Sequence, residues 1–230
     1  MLYMRALFSV RYNNISPPRE KRDLFLNLRQ MIDPTLIGLG NLVGNIISGA
    51  FWLIIASILN VYDYGHINYQ LALASLLAAG SLLGLNNTII TFLSKGNELL
   101  LKQSSFLVLL LTSTLAVILA SFNQVGVAIL LLGINAFSIT VAEAIGRKHY
   151  KQFALVVVAN RVIQLVLSIA LYYAIGPQGI IIGYAGSSLI LGSRLFFLVK
   201  ETAGSTPLLS MSEIRPKMRF TMHAFSLSLS

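Results

Sequence analysis

The chain has 230 residues, of which 56% are apolar and 11% charged, with a mean hydropathy of +0.76. A soluble domain carries about a quarter charged residues, so a water-facing globule is excluded, and the absence of cysteine excludes a disulfide framework or a thiolate metal site. The net charge of +9 would suit nucleic acid, but the cations fall between long apolar runs, so membrane topology explains them and no nucleic-acid partner is expected.

Residues 1–34 carry six basic residues: Arg5, Arg11, Arg19, Lys21, Arg22 and Arg29. The opening LYMRALFSV has one basic residue ahead of a short apolar core and no small-residue cleavage site after it, so it does not read as a secretory signal. Pro17-Pro18 breaks any helix there. The following KRDLFLNLRQM is either a basic amphipathic helix on the membrane surface or a solvated basic tail. Two apolar runs come next: TLIGLGNLVGNIISGAFWLIIASILN, span 1 over 35–59, and QLALASLLAAGSLLGLNNTIITFLSK, span 2 over 70–93. They flank VYDYGHINY, which has no Lys or Arg and is predicted to be a loop. A helix needs only about 20 residues at ~1.5 Å each to cross a bilayer core, so the pair predicts a transmembrane hairpin.

The link SKGNELLLKQS leads into span 3 (104–121), and a turn at Asn123-Gln124 leads into span 4 (125–143). GRKHYKQ precedes span 5 (153–175), the turn Gly176-Pro177-Gln178-Gly179 follows it, and span 6 covers 180–199. A polar linker over 200–218, broken by Pro207 and Pro216, ends in residues 219–230, which repeat the pattern that opens a span. The eleven residues after Arg219 give roughly 16 Å of helix. That predicts a fragment of a longer transporter with the start of a seventh span; a surface helix is the alternative.

The basic residues fix the predicted orientation. Six precede span 1, two (Lys95, Lys102) follow span 2, three (Arg147, Lys148, Lys151) follow span 4, and four (Lys200, Arg215, Lys217, Arg219) follow span 6. The first, third and fifth links carry none; Arg161 and Arg194 alone lie within spans. The positive-inside rule then predicts a multi-pass protein of the cytoplasmic membrane with a cytoplasmic N-terminus.

Polar side chains in hydrocarbon cost free energy, so their spacing carries information. Span 1 places Asn41, Asn45, Ser48 and Trp52 on one helical face, and span 5 does so with Arg161, Gln164, Ser168 and Tyr172. Span 2 adds Gly80, Gly84, Asn87 and Thr91; span 4 adds Asn135 and Ser138; span 6 adds Gly183, Ser187 and Arg194. At ~1.5 Å per residue, Asn41 and Asn87 lie roughly 9 Å from the cytoplasmic ends, Arg161 roughly 12 Å and Arg194 roughly 8 Å. These stripes either converge on a polar vestibule or act as packing glue, and Gly40-x-x-x-Gly44 is a small-residue contact motif. Arg194 is near enough to the interface to snorkel. Arg161 is deeper; it is expected to pair with Glu143 or to face water, and a guanidinium suits an anionic phosphate.

Enzyme chemistry finds little footing. His66, His149 and His223 fall on separate segments, so no metal site is expected. Gly38-x-Gly40 with Gly44 fits a dinucleotide fingerprint poorly, because no strand precedes it. No catalytic residue and no cofactor is assigned.

The Gly- and Asn-rich span 1, the Asp63-Tyr64-Gly65 loop, LALASLLAAGSLLGLNNTIITFLSKGNE and EAIGRKHYKQFALVVVANRVIQLVLSIALYYAIGPQGIIIGYAGSSLI together resemble the polysaccharide (Wzx-like) flippases of the multidrug/oligosaccharidyl-lipid/polysaccharide exporter superfamily. The likeness covers roughly residues 35–230 and rests on pattern rather than on an invariant motif. It implies an all-α polytopic membrane protein with two six-helix lobes. This chain would be the N-terminal lobe, and a second lobe or a second copy would complete it. It further implies alternating access and a polyprenyl-linked oligosaccharide moved through the lipid. Among the family's functional cations only Arg161 is carried over. In this reading Arg161, with Arg194, attracts the phosphate, while Asn41, Asn45, Asn87 and Gln164 bind polar groups. A drug or cation exporter would want an acidic residue deep in a span, and none of the eight Asp/Glu lies mid-span. A non-transporting membrane assembly protein and a polytopic glycosyltransferase are the remaining alternatives, the latter with Asp63 as its single outer-loop carboxylate.

Overall fold

The structure, a computed structural model, describes residues 19–82 and 84–195, with side chains from Thr35 onward. Residues 1–18, the end of predicted span 6 (196–199), the predicted linker and the start of a seventh span lie outside the described residues. Among the described residues the chain is helical: α1 (Arg19–Ile58), α2 (Val61–Leu82), α3 (Leu85–Leu93), α4 (Glu98–Ser121), α5 (Val125–Gly146), α6 (Tyr150–Ile175) and α7 (Gln178–Gly192). Four helices, α1 over Thr35–Ile58, α4, α5 and α6, are long and apolar enough to cross a membrane, and α2 with α3 qualifies as a bent pair. Helix α7 has 15 residues, about 22 Å, which is short of a bilayer core of about 30 Å.

Helix α1 runs without a break through Asp33-Pro34 into the apolar stretch Thr35–Ile58. Two expectations are corrected. The predicted loop 61–69 is helix. Asn60 starts it: Asp63 N–H donates to Asn60 Oδ1 at 2.8 Å, and Asn60 Nδ2 donates back to Asp63 Oδ2 at 2.8 Å. This exchange caps α2 at its first turn and leaves only Leu59 and Asn60 between α1 and α2. Span 2 is not one straight helix. It bends by 50° between α2 and α3, where Gly84 adopts φ +73°, a left-handed conformation costly for any residue with a Cβ.

Small residues set the order of the bundle. Helix α1 lies on α6, where a Cβ at Gly40 would stand 2.8 Å from Ala154 Cα. Helix α7 sits between α6 and α5. On one side a Cβ at Gly183 would meet Ser168 Cα at 2.5 Å, and on the other a Cβ at Gly133 would meet the Ala185 carbonyl oxygen at 2.9 Å. These glycines let backbones touch, which drives helix association where solvent gives no hydrophobic push. One apolar cluster joins Phe51, Ile55, Ile67, Val127 and Ile180; a second joins Leu85, Ile89, Leu101, Ile139 and Leu195. Outside them, Leu42, Ile46, Leu53, Leu155, Val162 and Val166 are exposed, as lipid-facing residues are.

The two ends of the bundle differ. At one, the α3–α4 turn meets the α5–α6 turn through Glu98 and Arg147; these turns carry Lys95 and Lys148. At the other, Tyr172 O–H donates to the Ile58 carbonyl at 3.1 Å, and the turns there hold no Lys or Arg.

Candidate functional site

The expected polar residues fall into three places rather than one vestibule. The first is the α1–α6 seam. A Cβ at Gly44 would lie 3.1 Å from Val157 Cγ1 and 3.6 Å from Arg161 Cγ, so the Arg161 stem passes directly over α1. Asn41 and Asn45 follow the two seam glycines in sequence and are exposed beside them. Arg161 is half-buried and donates from Nη1 to Gln164 Oε1 at 3.1 Å. Gln164 is 1% exposed, its Nε2 has no hydrogen-bond partner among the described residues, and the same holds for Asn160 Oδ1.

Arg161 does not pair with Glu143. That carboxylate accepts from Arg147 Nε at 2.9 Å and from Arg194 Nε at 3.0 Å, so both its oxygens are occupied. Glu143 is 3% exposed, and two guanidinium groups from different helix ends compensate its burial. This is the second place, and it accounts for Arg194, which is a partner of Glu143 rather than a neighbour of Arg161. Arg147 also donates from Nη1 to Glu98 Oε1 at 2.6 Å. Burial opposes its charge, but its hydrogen bonds to the Glu98 and Glu143 carboxylates outweigh that and hold the guanidinium above its ordinary range. The third place is α3, where Asn87 is exposed and its carbonyl accepts from Thr91 Oγ1 at 2.8 Å.

The chain pattern gave a stripe of Arg161, Gln164, Ser168 and Tyr172, whereas the buried stripe of α6 is Phe153, Asn160, Gln164 and Ser168. Asn160 was therefore missed. Its spacing of four from Gln164 and eight from Ser168 was the signal that could have found it. Arg161 lies at the edge of this stripe, facing the seam.

A different polar centre lies at the bend of span 2. Asn135 Nδ2 donates to Ser81 Oγ at 2.6 Å and to Thr112 Oγ1 at 2.7 Å, so one buried carboxamide ties α5 to α2 and α4. All three residues are buried, where packing glue is the role they perform. Among the described residues no three His, Cys, Asp or Glu side chains gather as metal ligands.

No protein-family model, no curated protein and no solved structure matches this chain.

Proposed function

We propose that this chain is the N-terminal lobe of a flippase that carries polyprenyl-linked oligosaccharide across the cytoplasmic membrane. This reading takes six crossings for the lobe: α1, the bent pair α2–α3, α4, α5, α6, and a sixth that contains α7. The N-terminus is cytoplasmic, and a second lobe or a second copy faces the α1–α6 seam. The reading rests on its resemblance to the polysaccharide flippases and, in the structure, on Arg161. This is a guanidinium in the middle of an apolar helix, half-buried, with no carboxylate partner among the described residues. An intramembrane cation without a counter-ion favours an anionic ligand, and a guanidinium matches phosphate with two parallel donors.

Gln164, one turn away, and Asn160, the preceding residue, retain hydrogen-bonding capacity among the described residues, and Asn41 and Asn45 add carboxamides on the adjoining helix. From Thr35 onward, the acids among the described residues, Asp63, Glu98 and Glu143, lie at or near helix ends, which argues against a cation exporter. Work is done by exchange between inward- and outward-open states, with no covalent step.

The test is Arg161→Ala in the full-length protein, with glycan export measured against the amount of folded protein in the membrane. Export is expected to fall at least tenfold, about 1.4 kcal/mol of lost phosphate binding. Arg161→Lys is expected to restore part of it. Normal export by folded Arg161→Ala would remove the head-group role.

A further inference from the structure

A groove of about 340 Å³ runs between the α3–α4 turn and the α5–α6 turn at the basic end; Ser94, Gly96, Glu98, Arg147, Lys148 and His149 line it. Both carboxylates near it are already neutralised: Glu98 by Arg147, and Glu143 by Arg147 and Arg194. Lys148 in the wall and Lys151 in the first turn of α6 are exposed and have no carboxylate partner among the described residues, so positive charge is in excess there. The His149 side chain does not cap α6, so the first-turn amides of that helix add partial positive charge at the same rim. Directly below, α6 presents Leu155 to the surroundings, 68% exposed.

Membrane topology asks for cations on this side, but not for a groove between two turns whose acids are already paired. We infer that this groove binds the phosphate head group of an anionic membrane lipid, with the acyl chains lying along the apolar face beneath it. The lipid would bridge two turns that the Arg147–Glu98 pair and the close packing of Leu93 on Gly146 already join. The site is separate from the Arg161 seam and does not depend on the transport reading.

The full chain, purified in a neutral maltoside micelle, is examined by native mass spectrometry with phosphatidylglycerol, phosphatidylcholine or inorganic phosphate. One phosphatidylglycerol is expected to be retained in preference to phosphatidylcholine, and equimolar inorganic phosphate is expected not to displace it. Lys148→Gln should weaken retention about fivefold, the usual effect of one cation at a membrane surface. Ser94→Glu, at an exposed position, places a carboxylate in the groove and should weaken it as much, and it serves if Lys148→Gln does not fold. Equal retention of the two lipids, indifference to both variants, or displacement by inorganic phosphate would each overturn the assignment.

Discussion

Glu143 and Asn135 are both buried polar side chains on α5, one turn of charge chemistry and one of neutral hydrogen bonding. Asn135→Leu removes bonds to Ser81 and Thr112 together. At about 0.6 kcal/mol per interhelical bond in a membrane, the loss should be about 1 kcal/mol. Unfolding of the micellar protein in denaturing detergent measures it, and a cycle with Thr112→Val should show coupling between the two sites. Glu143→Gln leaves Arg194 without its carboxylate and halves the set around Arg147. Because both guanidinium groups reach solvent, the expected cost is about 1–2 kcal/mol, below that of a fully buried pair. The Arg161–Glu143 pairing expected from depth alone is absent because depth does not report helix rotation. Arg147 and Arg194 reach the carboxylate from adjacent helix ends, and nothing in their spacing distinguishes them from ordinary topogenic cations.

Among the elements, α7 is the one whose packing tolerates least. Its Gly183 meets the Ser168 backbone, so Gly183→Leu has to push α6 away. A loss of at least 2 kcal/mol, or failure to accumulate in the membrane, is expected, in the range of overpacked cores. Gly49, with open space around its Cβ position, provides the control: Gly49→Leu should be near neutral. Hydrophobic runs made α1, α4, α5 and α6 legible in the sequence, because an unbroken apolar segment has one plausible structure in lipid. The start of α2 was hidden. VYDYGHINY is polar enough to pass for a loop, and what makes it helical is the local exchange between Asn60 and Asp63. The bend at Gly84 was marked only by the presence of glycine, which also occurs where helices simply pack closely. For the candidate site, the residue types were legible but their grouping was not. Asn41, Asn45, Arg161 and Gln164 share a seam because Gly40 and Gly44 bring α1 onto α6, whereas Asn87 and Arg194 lie elsewhere.

At the scale of the whole molecule, the chain alternates between a basic end and an end without cations. The cysteine-free sequence makes that arrangement directly testable. Asn123→Cys and Lys148→Cys are both at exposed turn positions; the first should react with a membrane-impermeant maleimide in intact cells, the second only after the cells are permeabilised. Labelling of both from one side would contradict the alternating path of α4 and α5. The turns at the cation-free end are also very short: Leu59–Asn60, Phe122–Gln124 and Gly176–Pro177. Trypsin cleaves after lysine and arginine, and among the described residues the exposed cations Lys95, Lys148, Lys151 and Arg194 all belong to the opposite end. Vesicles of mixed orientation should therefore divide into a nicked population and an intact one. Among the described residues that side offers so little chain that antibodies and surface-shaving proteases would find almost nothing there to recognise.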